Sequence, residues 1–476
     1  MGQKKDLMDA TQRRIFVSIN PDLQNGFGHY LGYDRRIRAA AQQAGHELLI
    51  LANQQLSPEL QTESYIRPAF TDRTYDVLPI LQYAEIERFR NELVKAIRKH
   101  CPQNEGTRYT LYMYMGSLWH LAGVALAAEQ LNRPDLNFTV NIFHERTDLL
   151  RLSEAGSDQV GIYRNILQTI DRARHSLQLR LTACTESAIH TLRTVCDIEV
   201  DYLPMFSVSD LPPPAAARKP GPLRFYYPSN VQHDKGFDVL VAALEELARK
   251  DFKVRLSPEV EAEPGQKAEI FRSYELICRS FVSYPRPEQQ EWLSRLPEHD
   301  GLRIVPGSLS DQEFTQLLED ADVLLIPYRN SAFAGRTSGI FADAVALHKP
   351  VITTRQTWAG EWTQRLENGL TFADASGWDL ARAVEEMVVR FDQIKARTAG
   401  AEQVWLQENG IDEFYKFLKS AAFNSDHEKG LPRDFADSLR EYILRQRAGG
   451  IAFYKQWLSR RKAVAALVGW WKRRGR

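Results

Sequence analysis

The sequence predicts an α/β protein of two Rossmann-like domains, each a mainly parallel sheet flanked by helices. Three observations lead there. Short β-branched and aromatic runs alternate with helix-length amphipathic segments along most of the 476 residues, the pattern of successive βα units. Five prolines crowd residues 209–222, "SDLPPPAAARKPGP", which no regular element tolerates, so this stretch reads as a stiff linker. After it the alternation starts again. The length suits two or three domains with separate cores. Two α/β halves on a linker are expected to bind ligand in the cleft between them, near strand C-terminal ends.

Taken in order, "RIFVSI" (14–19) is the first strand and "NPDLQNGFGHY" a glycine-containing loop. "YLGYDRRIRAAAQQAG" is a helix stopped by Gly45, and "HELLILA" the next strand. "RYTLYMYM", "NFTVNIF", "HSLQLRLTACT" and "IEVDYLPM" are further strand candidates. Beyond the linker come strand "LRFYYP", helix "GFDVLVAALEELARK" and strand "FKVRLS", then an irregular charged stretch from Glu261 to about Asp300. Strand "LRIVPG", helix "SDQEFTQLLEDA", strand "DVLLIPY", strand "PVITT" and helix "GWDLARAVEEMVVRFDQI" complete the second half. Ser310 is a plausible N-cap, with Phe314, Leu317 and Leu318 on one helix face.

Charge is balanced overall, with 61 basic and 61 acidic residues, but ten Lys or Arg and no acid lie between Arg445 and Arg476. Residues 1–444 therefore stand at about −10. The C-terminal segment interleaves its cations with Trp457, Leu458, Val464, Leu467, Val468, Trp470 and Trp471. That mixture suits an interfacial helix on anionic lipid; a helix packed on the body is the alternative. Nucleic acid is not an expected partner, because the body is acidic and no recognition module is visible. Cys101, Cys184, Cys196 and Cys278 are scattered without CxxC spacing, which signals neither zinc nor redox chemistry and suits a reducing compartment. The polar N-terminus lacks a signal-peptide core, and no apolar run is long enough to span a bilayer. The expected location is cytoplasmic, peripheral at the inner membrane face.

Chemistry gathers in "AFAGRTSGIFADAVALHKPVI", residues 332–352. It follows a strand and runs through small residues into a helix. Free N–H groups and the helix dipole make such a start an anion site. Gly335 would let a phosphate approach the backbone, Thr337 and Ser338 add hydroxyls, and Arg336 adds a fork-shaped cation. A capped helix with a solvated arginine is the bland alternative. In "SNVQHDKG", Lys235 just before a helix can reach a diphosphate as a mobile point charge, or be a surface lysine in a capping turn. "NGFGHY" offers Gly26 and Gly28 for a tight loop, with His29 beside them. "TVNIFHERTD" puts His144 and Glu145 at a strand end. "CTES" does the same for Glu186 and Ser187, and His120 is expected on a helix surface. No metal constellation stands out. Asp320 and Asp322 lie where a helix passes into a strand, a capping and surface position.

Four stretches occur in a telling order: "LRFYYPSNVQHDKGFDVLVAAL", "VPGSLSDQEFTQLLEDADVLLIPY", "DAVALHKPVITT" and "NGLTFADASGWDLARAVEEM". Together they resemble the C-terminal domain of GT-B-fold glycosyltransferases, especially the family 4 type. The resemblance covers about residues 223–390 and extends more weakly to "GFGHYLGYDRRIRAAAQQAGHELLIL". It implies an N-terminal acceptor domain (1–208), the linker (209–222) and a nucleotide-sugar domain (223–404). A helix crossing back (405–425) and a basic amphipathic helical tail (426–476) would follow. It implies a retaining transferase that needs no cofactor or metal, with a nucleotide-diphosphate sugar as co-substrate and a glycan or glycolipid as acceptor. Lys235 matches the family's phosphate lysine, Asp343 the acid that holds ribose, and His144 a histidine near the transferred sugar, the expected catalytic residue. Gly26, Gly28, His29 and Glu145 would face the acceptor side. Two positions depart from the family: Gly335 replaces the first acid of a Glu–seven residues–Glu pattern, and Asn230 replaces an arginine in the phosphate loop. Arg336 is expected to restore that lost charge. The same departures fit the alternative, a non-catalytic partner or scaffold of this fold in glycan assembly.

Overall fold

The computed structural model describes residues 13–26, 29–74, 83–142, 159–207, 211, 221–255, 271–282, 286–421 and 434–444. The chain forms two compact units, residues 1–203 with 417–476 and residues 204–416.

Unit 1 holds β1 (Arg13–Asn20), β2 (Glu47–Asn53), β3 (Ile66–Phe70), β4 (Thr107–Gly116), β5 (Leu136–Ile142), β6 (Leu179–Ala183) and β7 (Asp201–Tyr202). They pair in parallel in the order β3-β2-β1-β4-β5-β6-β7. A parallel sheet covered on both faces demands continuous apolar runs, and β5 is buried at every position. The strand expected at "IEVDYLPM" shrinks to Asp201–Tyr202. The helix Leu118–Leu131 is buried from Leu118 to Ala128, and this corrects the place of His120. Its ring is fully buried, stacks on Trp119 at 3.5 Å, and accepts the Ser117 amide at 3.3 Å through Nδ1. Burial pushes its pKa well below the usual value, so it serves as a neutral capping group. Helical residues 435–444 contribute Phe435, Leu439 and Ile443 to the same core. The start of the segment read as a tail thus belongs to unit 1, while residues 445–476 lie outside the described residues.

Unit 2 holds β8 (Leu223–Tyr227), β9 (Lys253–Arg255), β10 (Phe271–Arg279), β11 (Leu302–Val305), β12 (Val323–Ile326), β13 (Val351–Thr354) and β14 (Gly369–Phe372). The main path runs β11-β10-β8-β12-β13-β14, all parallel. Two expectations change. Among its described residues "FKVRLS" supplies the short β9, antiparallel to β10 and off the main path. The stretch read as irregular contains β10, a central strand, and the helix Pro287–Ser294. Tyr274, Leu276 and Cys278 give β10 a period-two buried row, masked in sequence by Arg272, Glu275 and Arg279. The chain re-enters unit 1 within the helix Ile411–Lys419. Just before that helix, Met205 N donates to Asn409 Oδ1 at 2.9 Å and Gly410 N to the Met205 carbonyl at 2.7 Å.

Candidate functional site

In unit 2 the strand order reverses between β8 and β12, and loops at the C-terminal ends of those strands flank a natural ligand position. The β8 loop is folded on itself and braced. Tyr227 Oη donates to the carbonyls of Asn230 and Lys235 at 2.9 and 3.3 Å. Val231 N donates to the Phe281 carbonyl at 2.9 Å, and Gln289 Nε2 to the Val231 carbonyl at 2.6 Å.

The β8 and β12 loops are also tied to each other. Arg329 N donates to the Asp234 carbonyl at 3.0 Å, Ser229 and Tyr328 hydroxyls bond at 2.9 Å, and Arg329 pairs with Asp238. Gly236 is the closest joint. Its φ is +70°, and a Cβ there would stand 1.7 Å from the Pro327 carbonyl oxygen. Only glycine fits the turn and the approach together.

That joint sets Lys235. Its Nζ lies 4.0 Å from the Tyr328 ring centroid and 4.3 Å from that of Phe333. The side chain is half-buried, and no carboxylate among the described residues pairs with it. Arg336 Cζ lies 6.0 Å from the same Phe333 ring. The structure therefore gathers two cations around one aromatic side chain, Lys235 from the β8 loop and Arg336 from the β12 loop. Thr337 and Ser338 are buried beside them, and Ser338 Oγ accepts the Phe341 amide at 3.3 Å, capping the helix Gly339–Ala346. A Cβ on Gly339 would meet nothing within 4 Å, so the first turn of the helix borders open space. Gly335 leads into this turn half-buried.

Asp343, one turn further on, is 3% exposed, and Ser207 Oγ donates to its Oδ1 at 2.7 Å. Asn230 contributes its carbonyl to the fold of the loop. Asp322 lies at the other end of β12, where Oδ2 accepts the Arg224 amide at 3.0 Å. Among the described residues no group of three His, Cys, Asp or Glu side chains could hold a metal.

In unit 1, Gly26 follows β1, and a Cβ there would make an ordinary 3.9 Å contact with Leu31. His29 opens the helix His29–Gln43, and its side chain is outside the described residues, as are Gly28, His144 and Glu145. The reversal of strand order between β1 and β4 holds a feature that sequence reasoning missed. A cavity of about 20 Å³, room for one water, is lined by Ser18, Asn20, Asp22, Tyr33, Asp34 and Tyr112 among others. Asp34 is 2% exposed and accepts Asn20 Nδ2 at 2.7 Å and Tyr112 Oη at 2.9 Å. Burial raises its pKa, opposed by hydrogen bonds from Ser18, Asn20 and Tyr112. The available signal was an acid on the helix stripe of Leu31, Ile37 and Ala41.

Solved structures resemble the chain through both units. A glycosyltransferase from Rickettsia africae aligns with a TM-score of 0.58 at 14% identity, covering 88% of this chain and 99% of its own. Sucrose-phosphate synthase from Thermosynechococcus elongatus aligns at 0.55 and 13%, covering 86% and 98%. Anabaena HepE in complex with UDP-glucose aligns at 0.54 and 11%, covering 85% and 98%.

The chain has the GT-B fold. The GT-B likeness at such identities speaks of architecture, and chemistry has to be argued from the site. No family model matches the chain, and no curated protein matches it significantly. Among the described residues of this GT-B chain, no helix is long and apolar enough to cross a membrane.

Proposed function

We propose that the protein is a glycosyltransferase that moves a sugar from a nucleotide-diphosphate sugar to a glycan or other acceptor. The carrying observation is the pair of cations around Phe333, Lys235 and Arg336, beside the capped start of the helix Gly339–Ala346. An ammonium and a guanidinium next to unpaired helix N–H groups suit a diphosphate. The resemblance to HepE, solved with UDP-glucose, supports a nucleotide sugar as the ligand.

In this reading Lys235, Arg336 and the backbone from Gly335 through Ser338 hold the two phosphates, with Thr337 and Ser338 hydroxyls near them and Asn230 lining the loop. Asp343, steadied by Ser207, takes the ribose hydroxyls. As the glycosidic bond to the phosphate breaks, negative charge grows on the leaving diphosphate, and the two cations and the helix start stabilise it in place of a metal. The reaction is retaining: the departing phosphate takes the acceptor proton on the face it leaves. His144 positions the transferred sugar, and Gly26, Gly28, His29 and Glu145 serve the acceptor side. Residues 445–476 place the protein on an anionic membrane surface, where a glycolipid acceptor would be met.

The test is nucleoside diphosphate release across a panel of nucleotide sugars and acceptors, with and without EDTA. Turnover that survives EDTA, with product of unchanged anomeric configuration by NMR, is expected. Folded protein that turns over no pair would replace this reading with a non-catalytic partner in glycan assembly, which Gly335 and Asn230 would then explain. Anionic liposomes in sedimentation should capture the full chain and not one ending at residue 444; equal capture would remove the membrane role.

A further inference from the structure

One charged side chain near the site has no role in the reading above. Arg279 ends β10, on the side of β8 away from β12. Cys278 pairs in register with Tyr227, so Arg279 stands beside Pro228, where the β8 loop begins. Its Nη1 donates to the Pro228 carbonyl at 3.2 Å. Its Cζ lies 5.7 Å from the ring centroids of both Phe281 and Phe314.

No carboxylate among the described residues pairs with this half-buried guanidinium, and its Nε is buried without a hydrogen-bond partner. Burial lowers its pKa from the ordinary arginine value, though arginine keeps its proton at any physiological pH. Arg329, at the same end of the sheet, contrasts with it. That side chain is neutralised by Asp238 and by Asp374 at 3.9 Å. Drawing a guanidinium out of water without a counter-charge is unfavourable, and the cost is recovered when an anion arrives. The position of Arg279 gives that anion a place. Neighbouring strands lie about 4.8 Å apart, so a side chain ending β10 reaches over the C-terminal end of β8.

We propose that Arg279 is a third cation of the nucleotide site, donating to a phosphate oxygen of the bound nucleoside diphosphate from the β10 side. Lys235 and Arg336 approach from the β12 side. The inference rests on the nucleotide-sugar reading and adds a residue to it. It also assigns a source for charge that the neutral Asn230 does not bring to the β8 loop. The planar fork, held by Pro228 and flanked by Phe281 and Phe314, makes Arg279 a residue that selects for the phosphates and is indifferent to the base.

The experiment is calorimetric titration of the full chain and of Arg279→Gln and Arg279→Lys with UDP, GDP and ADP, each beside its parent nucleoside. Thermal melts report folding. The expected result is that Arg279→Gln binds the preferred nucleoside diphosphate about 10- to 100-fold more weakly, the range for losing a hydrogen bond to a charged group. Nucleoside affinity should stay the same. Arg279→Lys, which keeps charge without the fork, should lose several-fold, and it carries the test if Arg279→Gln melts early. Equal losses for diphosphate and nucleoside would overturn the proposal in favour of a base contact. Unchanged diphosphate affinity in both variants would overturn it outright while leaving the nucleotide reading intact. Wild-type chain that binds none of the three diphosphates would overturn both.

Discussion

Lys235 carries its charge against two aromatic rings, with no described carboxylate to answer it. Lys235→Ala is therefore expected to weaken nucleoside diphosphate binding by about 10-fold or more, with little change in Tm, in titration and melting of the same sample. Gly236→Ala should do the reverse. A side chain at φ +70° meeting a carbonyl oxygen should cost about 2 kcal/mol or more of stability by urea unfolding. Lys349 gives a pH signature. Its Nζ donates to the carbonyls of Glu319 and Ala321 at 2.7 and 2.6 Å. Burial first, and Lys395 second, pull its pKa down to about 8 from 10.5. A lowered lysine pKa penalises the native state in full below pH 8, and the penalty lifts as pH rises toward 10.5, where only the unfolded chain still holds the proton. Wild-type stability relative to Lys349→Met should rise by up to about 3 kcal/mol across that window; a fall in paired urea titrations would contradict the assignment. Lys235, Arg336 and Asp343 were legible as residues of a motif. Asp34 and Arg279 were not, because what marks them is burial beside particular neighbours, and those neighbours come from other strands.

Among elements, the helices with strong local signals read well. Ser310 caps the helix Asp311–Asp320 and Glu313 completes a capping box, its Oε2 accepting the Ser310 amide at 2.8 Å. Ser310→Ala should cost about 1 kcal/mol by chemical denaturation and leave nucleotide affinity alone. Leu317 and Leu318 are buried as their spacing implied, while Phe314 stays half-exposed near Arg279. Strands went wrong where charge and burial disagree. β10 lies inside the sheet and is buried at Tyr274, Leu276, Ile277 and Cys278, yet Arg272, Glu275 and Arg279 interspersed along it hide it. β9 looked like a full strand and pairs over three residues. A strand exists through its partners, and local composition does not name them.

At the scale of the molecule, the two sheets share the same reversal of strand order, between β1 and β4 in unit 1 and between β8 and β12 in unit 2, and in unit 1 a small cavity sits at that reversal. The C-terminal part of the chain closes unit 1: Arg180 Nη1 donates to the Phe417 carbonyl at 3.0 Å, and Phe435, Leu439 and Ile443 enter its core. Ending the chain at residue 433 should lower the Tm of unit 1 markedly, since three core side chains are worth several kcal/mol; ending it at residue 444 should not. Equal melting of both truncations would remove the helix from the core. Alternation of apolar runs and the proline-rich break were enough to establish two α/β domains, and the phosphate-loop motifs to single out the residues on which the proposed anion site rests. These are local properties, written in the periodicity and backbone chemistry of each segment. Which strand lies beside which, that Gly236 must meet Pro327, and that Arg279 has no counter-charge among the described residues were decided by the tertiary structure. Pairing, close approach and desolvation depend on residues far apart in the chain, and they acquire values only when folding brings those residues together.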